Sequence, residues 1–178
     1  AEVTGDAAGV LGAKKILLPG VGSFDNAMTR LAGLGLVEPL KERAQAGAPF
    51  LGICLGMQLL AHESEEGRMA GLGLIPGRVR RFRFEGDAVK LKVPHMGWNR
   101  VTPIRTHPLG QGLEEGAPFY FVHSYYFDCE RHEDVLFRSI YGHEFTSGIQ
   151  RDNVMGVQFH PEKSHRYGMQ LIRNFVGL

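Results

Sequence analysis

One five-residue block restricts this chain more than its overall composition does. Gly52-Ile53-Cys54-Leu55-Gly56 completes an apolar run, Phe50-Leu51-Gly52-Ile53, and opens a helix-like stretch over 55–62. A side chain held out on a sharp strand-to-helix turn needs glycine two residues to either side, because strand and helix pack tightly around it. The block therefore predicts an α/β unit with Cys54 at the apex of the turn. It also sets the sulfur near a helix N-terminus, where the dipole favours thiolate. A buried structural cysteine is the ordinary alternative for any single Cys. Cys129 lacks a glycine frame, follows an aromatic and acidic stretch, and reads as structural.

The same strand-then-glycine order occurs earlier in the chain. Lys15-Ile16-Leu17-Leu18 stops at Pro19-Gly20-Val21-Gly22, a buried strand followed by a glycine turn. From Phe24, apolar residues recur at Ala27, Leu31, Leu34, Val37, Leu40 and Ala44, near the helical period. Gly33 and Gly35 interrupt that stripe and Pro39 fits a first turn, so two short helices are expected rather than one. Further strands are expected over 119–122, 135–141, 146–150 and 154–159, a hairpin over 79–93 around Glu85-Gly86-Asp87, and a closing helix over 167–176. With 178 residues, 43% of them hydrophobic, and no repeat or linker, the chain reads as one domain. Its 24 glycines, about twice the usual share, match a fold with many tight turns.

Charge and cysteine content exclude several function classes. Twenty basic against nineteen acidic side chains leave a net +1, too balanced for a polyanion binder. The basic run Arg78, Arg80, Arg81, Arg83 reads as a solvated strand rather than a nucleic-acid face. No stretch approaches the roughly 18 apolar residues of a membrane span. Two cysteines are too few for a disulfide framework or a structural zinc site, and they suit a reducing cytoplasm.

Two further blocks bear on chemistry. Phe159-His160-Pro161-Glu162 follows the strand pattern at 154–159. Residues i and i+2 of an extended segment share a face, so Glu162 is placed to orient the His160 imidazole as the third member of a triad does. With Cys54 at the end of another buried strand, a Cys-His-Glu constellation follows. Pro19-Gly20-Val21-Gly22-Ser23 is positioned to present backbone N–H groups to a developing oxyanion. A phosphate loop is the competing reading, but the terminal Gly-Lys-Ser/Thr is absent.

Leu51-Gly-Ile-Cys54-Leu-Gly-Met-Gln58 and Val157-Gln-Phe-His160-Pro-Glu162 resemble the two signatures of class I, triad-type glutamine amidotransferases. Pro94-His-Met-Gly-Trp98-Asn99 and Tyr120-Phe-Val-His-Ser-Tyr125 resemble, within that class, the glutaminase subunits of imidazole glycerol phosphate synthases. The resemblance runs from about Lys15 to the C-terminus. It implies a mixed, mostly parallel, flavodoxin-like sheet flanked by helices, and hydrolysis of glutamine to glutamate and ammonia without cofactor or metal. It implies Cys54 as nucleophile, His160 as general acid/base and Glu162 as its partner, with backbone N–H groups near Gly22 and Leu55 holding the oxyanion. Gln58 and Glu66 would hold the substrate's polar ends, and Ser124 and Tyr125 would offer backbone contacts to its carboxylate. Pro94, Met96, Trp98, Asn99, Tyr120 and Lys163 would face a synthase (cyclase) subunit, into which ammonia passes. For Trp98, core packing is the alternative, and for Glu66 a solvated surface acid.

The family ordinarily opens with a strand and an Asp-Tyr-Gly-x-Gly-Asn-like turn, and neither occurs here. The expectation is a single amidotransferase domain, 1–178, shortened at its N-terminus and lacking a central strand. Arg81-Phe-Arg-Phe-Glu-Gly-Asp87 and Glu162-Lys-Ser-His165-Arg-Tyr-Gly168 resemble instead a branch associated with sugar amidation in surface-polysaccharide synthesis. A non-catalytic subunit keeping the fold, and a thiol hydrolase of other specificity, are the remaining readings.

Overall fold

Parallel pairing of the glycine-terminated apolar runs builds the part of the sheet that carries Cys54. In the computed structural model, which describes residues 1–86 and 90–178, β1 (Ile16–Gly20) lies beside β2 (Phe50–Cys54), in register from Ile16↔Phe50 to Gly20↔Cys54. Both glycine turns therefore leave the sheet at the same end. On the other side of β2, β10 (Val154–Val157) pairs in parallel from Val154↔Phe50 to Val157↔Ile53, which brings the segment before His160 to that end as well. With both edges paired and both faces covered, all five residues of β2 are buried, as its unbroken apolar run requires. Phe50 enters a core with Phe24, Met28 and Leu40, whereas Leu51 and Ile53 enter a second core with Phe119, Phe159 and Leu171. This alternation is the two-residue period of a strand.

Helices cover the sheet where the apolar stripes predict them. α1 (Ala7–Gly12) is capped by Asp6, whose carboxylate accepts from the Gly9 N–H at 2.8 Å. α2 (Phe24–Gly33) and α3 (Val37–Gln45) are the two short helices, with Pro39 in the first turn of α3. α4 (Leu55–Gln58) follows Cys54, and α5 (His165–Gly177) closes the chain over the second core.

The remaining strands are β3 (Glu63–Ser64), β4 (Gly77–Arg81), β5 (His95–Pro103), β6 (Ala117–His123), β7 (Tyr125–Cys129), β8 (Val135–Tyr141) and β9 (His143–Arg151). The main path runs β1-β2-β10-β9-β7-β4-β3, with β8 on β9, β5 on β8, and β6 on β5. The sheet is mixed and flanked by helices, as expected. Parallel pairing joins β1, β2 and β10 at the Cys54 end and short β3 to β4 at the far edge, and antiparallel pairing joins the rest of β4 through β10.

Three expectations change. The helix over 55–62 stops after one turn, because residues 72–74 claim its continuing carbonyls: Leu72 donates to Leu59, Leu74 to Leu60 and Gly73 to Ala61. The hairpin over 79–93 does not form. β4 pairs instead with β7, setting buried Val79 against buried Phe127; 90–93 carries no strand, and Asp87 lies outside the described residues. The strand expected over 154–159 ends at Val157, and β1, β2 and β10 are continuous with an unpaired lateral edge on β1. The basic run is solvated as read: Arg80 meets Asp128 at 3.1 Å and Arg83 meets Glu65 at 2.8 Å.

Space at the Cys54 turn explains its glycines. A Cβ on Gly56 would lie 1.8 Å from the Leu18 carbonyl oxygen of β1, and one on Gly52 2.5 Å from the Gly56 carbonyl oxygen. Backbone blocks both positions, and neither can yield without separating β1, β2 and α4. Gly56→Ala is expected to cost about 3 kcal/mol and lower Tm by roughly 6–12 °C. Gly33→Ala, at the open end of α2, should leave Tm unchanged or slightly raised. Equal melting temperatures for the two variants in calorimetry would refute the packing account.

Candidate active site

The turn that the glycines permit places Cys54 in a conformation side chains seldom adopt. Its φ is 54° and its ψ −112°, so the backbone stores strain where the thiol is presented. The Sγ lies 4.0 Å from the Val122 carbonyl oxygen and 3.8 Å from Gln158 Nε2. Burial pushes the thiol up to about 11, and the Leu55 N–H beside it offsets this only in part. The expected thiolate at a helix N-terminus is therefore corrected. α4 is a single turn, too short to outweigh desolvation, and the thiol is protonated near neutral pH.

His160 lies across the same cavity. Strand β10 ends at Val157, and the His160 N–H donates to the Tyr120 carbonyl of β6 at 2.9 Å. Ser164, fully buried, locks this geometry: its Oγ donates to the His160 carbonyl at 2.6 Å and accepts from the Tyr120 N–H at 3.0 Å. His160 Nδ1 is 2.7 Å from Glu162 Oε1, but Pro161–Lys163 is a 3-10 turn and not the expected extended segment, so the turn and not strand alternation brings the pair together. Because a carboxylate accepts, Nδ1 carries the proton and Nε2 the lone pair. That Nε2 is buried and has no protein partner. Glu162 is 58% exposed at its side chain, so the pair orients the ring more than it stabilises the fold.

A cavity of about 320 Å³ joins these groups, within the size range of small-molecule sites. Cys54, His160, Gly22, Leu55, Gln58 and Glu66 line it together with Ser124, Tyr125 and Pro94. Glu66 is no free surface acid: its Oε2 accepts from the Phe24 N–H at 2.8 Å, at the start of α2. Gln58 is buried and its Nε2 donates to the Tyr125 carbonyl and to Gln158 Oε1, both at 3.0 Å. Its amide nitrogen thus braces the cavity wall. Sequence reasoning passed over Gln158, Ser164, Val122 and His123. Gln158 was within reach, since it lies two residues before His160 on the run that leads to it.

The residues expected to face a partner divide by strand alternation. Met96 and Trp98 of β5 are 62% and 51% exposed, which removes core packing as the account of Trp98. Trp98 stacks on His165 with ring centroids 5.3 Å apart, and Lys163 Nζ lies 5.6 Å from the Tyr120 ring centroid. Asn99 occupies the opposite face, its Nδ2 donating to the Ile140 carbonyl at 2.8 Å. Odd and even positions of one strand point apart, so Asn99 shares the face of His95. No helix among the described residues is long and apolar enough to cross a membrane.

The Cys54 thiol and the carboxylate-paired His160 imidazole line one cavity of this mixed sheet, and the class-I glutamine amidotransferase model matches residues 10–177; the chain belongs to that family. Its relatives narrow the position. It is 49% identical over 177 residues to "Imidazole glycerol phosphate synthase subunit HisH 2" of Methanococcus maripaludis, covering 99% of this chain and 86% of that protein. It is 51% identical over 165 residues to the subunit HisH of Bdellovibrio bacteriovorus, covering 92% and 81%. A crystal structure described as a glutamine amidotransferase shares the fold at TM-score 0.75 and 19% identity, covering 99% of this chain and 85% of that one.

A protonated thiol has a measurable signature. Iodoacetamide alkylation of Cys54 in the isolated chain, followed by mass spectrometry between about pH 7 and 9, is expected to accelerate about tenfold per pH unit. Cys129, pushed up to about 12 by burial, should react more slowly throughout. A Cys54 rate already level at neutral pH would contradict the burial effect.

Proposed function

We propose that this chain is the glutaminase subunit of an imidazole glycerol phosphate synthase, supplying ammonia to a cyclase subunit in histidine biosynthesis. One observation carries the chemistry: a buried His160 Nε2, unpartnered, in the same cavity as the Cys54 thiol. The HisH relatives support this acceptor over sugar amidation, and the intact thiol and imidazole weigh against a non-catalytic subunit.

In the proposed reaction the glutamine side-chain amide sits between Cys54 and His160. Nε2 takes the thiol proton as sulfur attacks the amide carbon, so a high thiol pKa is relieved at the moment of reaction rather than beforehand. Backbone N–H groups of Leu55 and of the Val21–Gly22 loop hold the oxyanion. Imidazolium then protonates the departing nitrogen, ammonia leaves, and a γ-glutamyl thioester remains. Water, deprotonated by the same Nε2, cleaves the thioester to glutamate and free thiol. Glu162 holds Nδ1–H throughout and stabilises the transient imidazolium. Glu66 takes the α-ammonium, and the Ser124–Tyr125 backbone takes the α-carboxylate.

Pro94, Met96, Trp98, Tyr120 and Lys163 form the proposed route and face toward the cyclase subunit, with exposed Trp98 as an anchor. Two unpaired cysteines accord with a cytoplasmic setting.

With a cyclase partner, Cys54→Ala is expected to reduce glutamine-dependent synthesis at least about 10³-fold, while ammonium salts still support it. His160→Ala should behave alike, and combining the two should add little. Cys129→Ala, in a separate part of the fold, should match the parent. Ammonium failing to restore synthesis, or Cys54→Ala retaining glutamine use, would remove the assignment.

A further inference from the structure

Two buried histidines that the proposed chemistry does not use stand at the cavity wall, His123 lining it and His95 behind. His95 of β5 and His123 of β6 are cross-strand partners, with His95 Nδ1 2.9 Å from His123 Nε2. His123 Nδ1 lies 2.7 Å from the Tyr125 carbonyl oxygen, which can only accept, so Nδ1 carries the proton. In a neutral ring the lone pair then sits on Nε2, and His95 Nδ1 must donate to it. That leaves His95 Nε2 as acceptor, with Asn99 Nδ2 donating from 3.2 Å. The Asn99 amide is itself oriented, since Nδ2 also donates to the Ile140 carbonyl and Oδ1 accepts from the Arg100 N–H at 2.7 Å. Every donor in the series Asn99, His95, His123 points toward Tyr125.

The rings have little freedom to depart from this state. His95 stacks on Tyr141 with centroids 4.1 Å apart and on Phe121 at 4.9 Å, and His123 lies 5.3 Å from Phe82. Protonating His123 would set two N–H groups head to head across 2.9 Å, and protonating His95 would turn its Nε2–H against the Asn99 amide N–H across 3.2 Å. Burial acts in the same direction, pushing His123 down to about 3 and His95 to about 4.

What the series holds is the substrate wall. The Tyr125 carbonyl receives His123 and Gln58, and the Ser124 carbonyl receives the Phe82 N–H at 3.1 Å. Because a peptide group is planar, fixing both carbonyls fixes both peptide planes flanking Tyr125. The described lining of the cavity includes no Lys or Arg, so backbone dipoles must receive the substrate carboxylate. We propose that His95 and His123 form a tautomer-locked relay that positions the Ser124–Tyr125 backbone for the α-carboxylate of glutamine, a role that rests on the glutaminase reading above. Both are positioning residues and touch no reacting atom.

The test uses the complex with its cyclase subunit. His95→Phe keeps the stacked ring but removes the donor, and His123→Leu removes the ring that carries it. Each is expected to raise KM for glutamine about tenfold with kcat within about twofold, the scale of one hydrogen bond. His95→Asn and His123→Asn restore a donor at the δ position and should recover most of the loss, and one pair suffices if a variant of the other fails to fold. Labelling of Cys54 by a diazoketone analogue of glutamine, which bears the α-carboxylate, should slow about tenfold in the Phe and Leu variants. Alkylation of Cys54 by iodoacetamide, which lacks it, should not change. Unchanged KM, no recovery in the Asn variants, or iodoacetamide slowing in step with the diazoketone would overturn the relay alone. Diazoketone labelling elsewhere than Cys54 in the parent complex would overturn the glutaminase reading, and the relay with it.

Discussion

The close approach of three backbones at Cys54 is the constraint on which the rest of this structure depends. β1, β2 and α4 meet so tightly that only hydrogen fits at Gly52 and Gly56. That contact presents the sulfur at positive φ, and it brings the glycine loop after β1 to the same rim of the sheet. Once β10 is paired on the other side of β2, the chain must leave the sheet beside Cys54, and His160 follows within a few residues. The candidate site is thus an outcome of parallel register. A slip along β2 would carry a reactive group out of the cavity.

Burial works against reactivity at this site, and the arrangement resolves the conflict locally. Desolvation holds Cys54 as a thiol, while an imidazole with a free, buried Nε2 and a fixed Nδ1–H lies across the cavity. A preformed thiolate would be favoured by a cation close by, and the described cavity lining includes no Lys or Arg. The proton is therefore best transferred in the course of attack.

The second half of the molecule shows how much one strand's alternation decides. β5 sends Met96 and Trp98 outward, where they form an exposed apolar and aromatic face with Tyr120 and Lys163 nearby. It sends His95 and Asn99 inward, toward the back of the cavity. A single motif thus supplies an exposed aromatic face and the buried histidine cluster beside the cavity, divided by the two-residue period of the strand.

Much of the site was legible in the sequence, because its signals are local. Glycines flanking Cys54 declare a tight turn, an apolar run declares a doubly covered strand, and the nearness of His160 and Glu162 in sequence points to the observed 2.7 Å pair, though a 3-10 turn and not an extended segment makes it. The stripe broken at Gly33 and Gly35 likewise marked two helices. What the sequence could not decide were competitions between distant segments. Residues 72–74 end the helix after Gln58 by claiming its carbonyls, and β7 captures β4 before a local hairpin can form. Nor could it show that Cys54 is protonated, that Asn99 turns inward, or that Ser164 pins His160. Each of these depends on which groups a folded neighbour desolvates or offers a hydrogen bond, and spacing along the chain holds no record of that.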